Sequence, residues 1–300
     1  MDSNKTKEGL HQTWYDNGQL MSEGNYKNGN LNGVYKYWWS CGQLQSESYY
    51  VNGDCNYSKS WGPDGQIWSA ESWSNSKKDG VCKFWYENGQ LKEESYYKNG
   101  LGDGPHKKWY ENGQLKEESY YKNGVLNGEE KIWYEEGQLK ELVNYDNEIL
   151  EGEQKEWYEN GQLKSNFYTK EGRVNGLVKK WYENGQLKEE IDYIYGEIDG
   201  LQKLYYENGQ LKNICEYAKN QKNGKSDEYY ESGRLMYTGN WAENNQEGLW
   251  SLYFESGELQ RENIFEKNEK ISQKDWDKNR VLISESITTI ENDLTPKEDD

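Results

Sequence analysis

The sequence is poor in the residues on which most enzymes, metal sites and disulfide frameworks depend. Its 300 residues include only 2 histidines, 4 cysteines and 3 prolines. The histidines, His11 and His106, lie in different parts of the chain, and no nucleophile can be paired with either, so we expect both to be ordinary strand residues near solvent. The cysteines form no C-x-x-C pair, which predicts free thiols. We therefore expect a protein that is not an enzyme and needs no cofactor.

Long apolar segments are also missing. Hydrophobic residues make up 33% of the chain and the mean hydropathy is −1.28. No run approaches the roughly 20 apolar residues that a membrane-spanning helix needs. The first residues, MDSNKTKEGL, contain no apolar stretch of the kind found in a signal peptide. We expect a cytoplasmic protein for which membrane contact is not predicted.

Positive charge is in deficit, because 36 lysines and arginines face 54 aspartates and glutamates, a formal net charge of −18. Nucleic acids and anionic lipids need a basic face, so both are disfavoured as partners. A basic protein partner is favoured instead. The acidic turns lack the spacing of an EF-hand loop or a calcium β-roll, so no metal site is predicted.

Tryptophan and tyrosine, by contrast, are abundant, with 14 and 27 copies, and they recur with a fixed period. An aromatic residue opens each of eleven units, 24 residues apart except for one step of 23: Trp14, Trp38, Trp61, Trp85, Trp109, Trp133, Trp157, Trp181, Tyr205, Tyr229 and Tyr253. Such a period predicts an elongated array in which each unit contacts mainly its neighbours. We divide the chain into an N-terminal tail (1–8), the array (9–265) and a region with a degenerate repeat, a cap and an acidic tail (266–300).

Each unit has a glycine four residues after its opening aromatic, usually within an Asn-Gly-like pair. In the fourth unit, Asn88-Gly89 predicts a two-residue type I′ hairpin turn. In that register Trp85 would face Lys92. Further Asn-Gly pairs join one hairpin to the next, so strand should follow strand. The fold class is therefore all-β, a single-layer antiparallel sheet of tandem hairpins of about 24 residues.

Period-two alternation separates two faces of this sheet. On one face a second aromatic, such as Tyr97, would lie opposite a glycine, Gly80, and we interpret that glycine as making room for the ring. The other face carries the opening tryptophans among facing charges, such as Lys83 and Glu94. One face should be packed and the other wet.

The tail differs from the array. Its apolar residues, including Leu282 and Ile290, are close to helical spacing and predict a helix over Arg280–Asp293 that caps the sheet. A short strand is the alternative, because the segment is rich in β-branched residues. A worn twelfth unit begins at Trp276.

The pattern G-x-x-x-x-W-Y-E-N-G-Q-L-K-x-x-x-x-Y-x-x-G, which runs here from Gly80 to Gly100, resembles the MORN-repeat variant family of bacteria. Proteins of this kind are often labelled YwqK-type antitoxins of toxin–antitoxin systems. The resemblance implies a non-catalytic protein-interaction scaffold, with an antitoxin or immunity protein that neutralises a basic toxin as its most concrete version. The alternative is an aromatic hairpin repeat that binds choline or carbohydrate at the cell surface, which the missing export signal disfavours.

The third unit breaks the repeat pattern while remaining aromatic. Trp68 replaces the usual lysine, and a two-residue turn would place it opposite Trp61 on the wet face. Tryptophans rimmed by polar residues are typical binding hot spots. We predict that Trp38, Trp61, Trp68 and Trp85 form the partner-binding surface. The alternative is that Trp61 and Trp68 brace a hairpin weakened where Asn56 replaces the usual glycine.

Overall fold

The computed structural model describes residues 6–288, which form 27 β-strands and no helix. The chain divides into two compact units, with the boundary between Leu150 and Glu151. No helix in the described part of the chain is long and apolar enough to cross a membrane.

The first unit contains fourteen strands, of which most are eight or nine residues long. They are β1 (Gly9–Trp14), β2 (Leu20–Lys27), β3 (Asn30–Trp38), β4 (Leu44–Val51), β5 (Asp54–Trp61), β6 (Ile67–Ser74), β7 (Lys77–Trp85), β8 (Leu91–Lys98), β9 (Leu101–Trp109), β10 (Leu115–Lys122), β11 (Val125–Leu126), β12 (Gly128–Trp133), β13 (Leu139–Asp146) and β14 (Ile149–Leu150). Each strand pairs antiparallel with the strand before it, except that β12 pairs with β10 across the short β11.

The second unit contains thirteen strands with the same antiparallel pairing. They are β15 (Gly152–Trp157), β16 (Leu163–Lys170), β17 (Arg173–Val174), β18 (Gly176–Trp181), β19 (Leu187–Ile194), β20 (Glu197–Tyr205), β21 (Leu211–Ala218), β22 (Gln221–Tyr229), β23 (Leu235–Ala242), β24 (Asn245–Tyr253), β25 (Leu259–Glu266), β26 (Glu269–Trp276) and β27 (Leu282–Ile287). The predicted succession of antiparallel hairpins is confirmed within each unit.

The turn at the end of each hairpin is not the one predicted. The amide of Gly89 donates to the carbonyl of Tyr86 at 3.0 Å and the amide of Tyr86 donates to the carbonyl of Gln90 at 2.9 Å. Gly89 has a φ of +83°, whereas Asn88 is not among the residues with positive φ. This is a type I turn followed by a left-handed glycine, and the strands rejoin through a bulge.

Because of the bulge, the strand pairing differs from the predicted register next to the turn and agrees with it further along the hairpin. Trp85 lies opposite Leu91, not Lys92, while Lys83 lies opposite Glu94 as predicted. The type I′ turn occurs instead where one hairpin passes to the next, as at Asn99, where a φ of +52° is followed by +88° at the glycine. The predicted facing charges are therefore present, and Lys83 Nζ lies 2.6 Å from Glu94 Oε2.

The glycine opposite the second aromatic is also confirmed, but the predicted reason for it is wrong. Gly80 pairs with Tyr97, and Gly128 pairs with Tyr145. Both glycines have a φ of +102°. A Cβ added at Gly128 would meet no atom within 4 Å, so no ring occupies the space. The glycine is required because the backbone turns through a left-handed conformation there.

The two sheet faces differ as expected. Cys82 and Ser95 lie opposite each other on the packed face and both are buried, and Val178 and Ile191 hold the corresponding positions in the second unit. The core is thin and partly polar, since ten polar or charged residues are buried among the described residues. Each hairpin therefore depends on its neighbours for most of its apolar burial.

The described part of the C-terminal region forms a strand, not the predicted helix. Trp276 pairs with Leu282 across a turn of the same kind as in the array, with Arg280 at a φ of +63° where other units have glycine. The degenerate unit is thus a twelfth hairpin, and the β-branched residues decide its structure. The predicted helix extended to Asp293, and positions 289–293 lie outside the described residues.

Candidate functional site: the hairpin tips and the outer sheet face

Within each unit, side chains at most hairpin tips bond to the backbone of the next tip. The Tyr86 hydroxyl donates to the carbonyl of Trp109 at 2.7 Å, and the Asn88 amide donates to the carbonyl of Glu111 at 2.8 Å. The tyrosine bond recurs at Tyr15–Trp38, Tyr110–Trp133, Tyr158–Trp181, Tyr182–Tyr205, Tyr206–Tyr229 and Tyr230–Tyr253. The tips of neighbouring hairpins are therefore fixed relative to each other. The repeated Tyr-Glu-Asn-Gly sequence serves this ladder as well as the turn.

A glutamate stands exposed at the tip of eight hairpins. These residues are Glu87, Glu111 and Glu135 in the first unit and Glu159, Glu183, Glu207, Glu231 and Glu255 in the second. No ion pair between described residues involves any of them. Within each unit, two strands per hairpin place successive tips about 10 Å apart. We call this set the tip glutamates.

The negative potential of these carboxylates reaches the adjoining rings. Burial raises the pKa of the Tyr86 hydroxyl, and the charge of Glu111 raises it further. Burial and the charge of Glu207 act in the same way on the pKa of Tyr182. A cation that approached the tips would relieve this repulsion.

Lysines near the tips are engaged elsewhere. Lys92 Nζ lies 5.4 Å from the ring centroid of Tyr86, within cation–π range. The same contact occurs at Lys116–Tyr110, Lys140–Tyr134, Lys164–Tyr158, Lys188–Tyr182 and Lys212–Tyr206. These lysines thus contact the tyrosine rings, whereas the tip glutamates have no charged partner among the described residues.

The predicted tryptophan surface is only partly assembled. Trp38, Trp61 and Trp85 are half-buried and Trp68 is 41% exposed. The prediction that Trp61 faces Trp68 is wrong, because Trp61 pairs with Ile67 and Trp68 falls in the bulge. No ring contact joins Trp38, Trp61, Trp68 and Trp85 to one another among the described residues.

Trp68 instead packs on the preceding turns. Its ring makes an edge contact with Trp39, with centroids 6.2 Å apart, and a Cβ added at Gly62 would lie 2.9 Å from it. Gly62 stands where other units have the tip tyrosine, so Trp68 fills the space of the missing ring. The Trp39 indole donates to the carbonyl of Trp61 at 3.1 Å, in place of a tyrosine hydroxyl. These contacts favour the bracing interpretation for Trp68.

His106 also departs from the sequence-based expectation. Its side chain is only 14% exposed, so the expectation of a position near solvent is wrong. Its Nε2 lies 3.1 Å from Glu93, and its Nδ1 lies 3.8 Å from Glu117. Ser95 donates to Glu93 and not to the imidazole. No hydroxyl or thiol is hydrogen-bonded to His106 within residues 6–288, and the arrangement is a polar cluster of the packed face.

One sequence signal could have placed His106 correctly. It lies three residues before its opening aromatic, the column of the buried Cys82 and Val178. Among the described residues, no group of three or more histidine, cysteine, aspartate or glutamate side chains is placed to hold a metal ion.

Comparison with known proteins agrees with the hairpin arrangement. A family model described as MORN repeat variant matches residues 7–28, 31–52, 78–99, 102–123, 126–147, 150–171, 174–195, 198–219 and 246–267. Each matched segment is one hairpin and its turn, as in β7 and β8. The stretch between residues 52 and 78, which contains Trp61 and Trp68, is not matched. No curated protein matches the chain.

Solved structures also align with the chain, but only loosely. The TcdB2-TccC3-Cdc42 and TcdB2-TccC3-TEV crystal structures cover 90% and 89% of this chain, at 9% and 10% identity and TM-scores of 0.19 and 0.20. The alignment spans about a fifth of the length of those chains. The family match is independent of them: its nine segments cover about two thirds of the sequence and coincide with observed hairpins. The chain belongs to the MORN repeat variant family.

Proposed function

We propose that the protein is a non-catalytic scaffold that binds a basic protein partner through its tip glutamates. The observation that carries this proposal is the row of exposed carboxylates in each unit, which have no ion-pair partners among the described residues and lie about 10 Å apart at tips joined by tyrosine and asparagine bonds. A partner that brings lysine or arginine to this row gains charge pairs without breaking existing ones. Complementary charge would also speed the encounter.

The charges on the outer sheet face are less available. Lys107 lies 2.8 Å from Glu118, and Lys179 lies 3.1 Å from Glu190. A partner would have to compete with these pairs and desolvate them, which offsets much of the gain. The tips are therefore the better surface for a basic partner.

The most concrete version of this function is an antitoxin or immunity protein that occludes a basic toxin. A rigid row of carboxylates could cover a basic surface without any chemistry of its own. The resemblance to proteins labelled as antitoxins suggests this version, and the net charge of −18 supports it.

Affinity capture from the native host, followed by mass spectrometry, tests the proposal. We expect a basic protein to be captured by the wild type and bound roughly two- to thirtyfold more weakly by a Glu87→Gln/Glu111→Gln variant, since two exposed pairs contribute about 0.2–1 kcal/mol each. The matched control, Glu171→Gln/Glu243→Gln, removes the same charge from joining turns and should bind normally. Equal loss in both variants, or capture of acidic proteins only, would contradict the proposal.

The antitoxin version needs a separate measurement. Expression of the captured partner alone should arrest growth of the host, and co-expression of the wild-type protein should restore it. If the captured basic partner is harmless on its own, the scaffold function would stand and the antitoxin version would be ruled out.

The partner surface predicted at Trp38, Trp61, Trp68 and Trp85 stays a prediction. The contacts of Trp68 suggest that Trp68→Ala will lower stability, with any loss of binding following from that. Trp85 is different, because it borders an open groove on the outer face.

A further inference from the structure

A groove of about 320 Å³ crosses the outer face where the repeat departs from its family pattern. It spans three strands, β5 to β7, and apolar side chains form most of its wall: Tyr57, Ile67, Ala70, Val81 and Trp85. The only charged side chains that line it are Lys59 and Lys83. Its volume lies at the lower end of the range of about 300–1,000 Å³ that is typical of ligand pockets.

The groove exists because two small residues replace large ones. Ala70 stands where the next two hairpins have Glu94 and Glu118, and Ser72 stands where the next has Tyr96. The missing glutamate and tyrosine leave both the open space and an uncompensated charge.

That charge belongs to Lys59. Lys59 pairs in register with Glu47 on one side and Ala70 on the other. Glu47 already binds Lys36 at 3.4 Å, and no ion pair between described residues includes Lys59. Lys59 Nζ rests instead 5.5 Å from the Tyr57 ring centroid. Lys83, by contrast, lies 2.6 Å from Glu94.

A groove on the same face two hairpins further on provides a comparison. It is lined by Pro105, Tyr120, Glu118, Glu129 and Lys131, among others. There Lys131 lies 2.7 Å from Glu129, so its charge is compensated within the protein. Of these two grooves, only the one at Lys59 combines an apolar wall with a cation that has no ion-pair partner among residues 6–288.

We propose that the groove at Lys59 binds an extended segment of a protein partner that inserts an apolar side chain beside Trp85 and places a neighbouring aspartate or glutamate on Lys59. The carboxylate would take the position that the consensus glutamate holds in other hairpins. This inference uses the protein-binding function proposed above but not the tip glutamates. The two surfaces recognise opposite charges and can fail separately.

Selection from a random heptapeptide phage library tests the groove directly. The immobilised full-length protein should enrich peptides with an aliphatic or aromatic residue next to an acidic one. Ala70→Glu introduces the glutamate that the next two hairpins have and supplies the missing partner of Lys59, so it should fold and bind the enriched peptides about tenfold more weakly or worse. Lys59→Gln should do the same by removing the cation.

The matched control is Lys131→Gln, which removes a lysine from the comparison groove and should bind the enriched peptides as the wild type does. Circular dichroism and melting of each variant report whether the sheet is intact. Enrichment of basic peptides, no enrichment over Ala70→Glu, or unchanged affinity in Lys59→Gln would each overturn the proposal. The Glu87→Gln/Glu111→Gln variant should retain peptide binding, and this result would separate the groove from the tips.

Discussion

Replacement of Gly128 by alanine should destabilise its hairpin through the backbone alone. Gly128 has a φ of +102°, and the added Cβ would meet no atom within 4 Å. Holding a residue with a side chain in this region costs about 1–3 kcal/mol. The lower entropy of the unfolded alanine chain returns roughly 0.4–1 kcal/mol. We expect a net loss of about 1–2 kcal/mol.

A second substitution separates this cause from the alternative that glycine makes room for the opposite ring. Tyr145 pairs with Gly128 across the strands. If only the backbone matters, Tyr145→Leu and Gly128→Ala should add within about 0.5 kcal/mol. Rescue of Gly128→Ala by Tyr145→Leu would refute the backbone explanation.

Gly24 provides the opposite case within the same chain. It does not have a positive φ, and a Cβ there would lie 2.5 Å from the ring of Tyr35. Gly24→Ala should therefore be rescued in part by Tyr35→Leu. Because an array of repeats need not unfold in one step, amide hydrogen exchange of the affected strands is the appropriate assay. Unchanged exchange around Gly128 in the alanine variant would also contradict the reasoning.

Three further outcomes are expected. Tyr110→Phe should lower the local free energy of unfolding by about 0.5–1.5 kcal/mol in hydrogen exchange, because a bond to the next tip is lost, whereas Tyr120→Phe at a 47% exposed position should not. A thiol reagent should label the exposed Cys41 in the folded protein but Cys82 only after unfolding, since burial shields Cys82 and raises its pKa. Burial opposes ionisation of Asp275, but its hydrogen bonds lower its pKa from 3.8 to about 2. The stabilising effect of the Asp275 carboxylate is therefore complete above pH 4 and lost toward pH 2. In acid titrations the stability difference between wild type and Asp275→Asn should shrink over that range, and a constant difference would exclude this role.

The sequence predicted the architecture well because the repeat consists of residues with strong local preferences for turns and strands. The 24-residue period locates every hairpin, and the facing of Lys83 and Glu94 follows from alternation. The turn type was harder to predict, since an Asn-Gly pair is compatible with both a type I and a type I′ turn. At Asn88 the asparagine side chain accepts from the amide of Gln90 at 2.9 Å and stabilises a type I turn, whereas Asn99 adopts the left-handed conformation itself.

The candidate sites were harder to predict than the fold for a related reason. One extra residue in the turn moves Trp68 from a position opposite Trp61 into a bulge, and a prediction based on strict alternation cannot include that shift. The bonds between tips join residues 23 positions apart, so no local pattern reveals them. The groove at Lys59 also needed the structure, because what defines it is the small size of the side chains at Ala70 and Ser72.

Repetition and recognition place opposite demands on this chain. Identical hairpins hold each other through bonds such as Tyr86 to Trp109, but identical surfaces cannot distinguish one position along the array from another. A partner bound only by the tip glutamates could therefore shift by one repeat at little cost. A single irregular groove would remove that freedom, because an acidic side chain on Lys59 fixes the register of everything bound beside it. If both surfaces serve one partner, that partner carries a basic surface and one acidic segment, and Lys59→Gln should loosen its register more than its affinity.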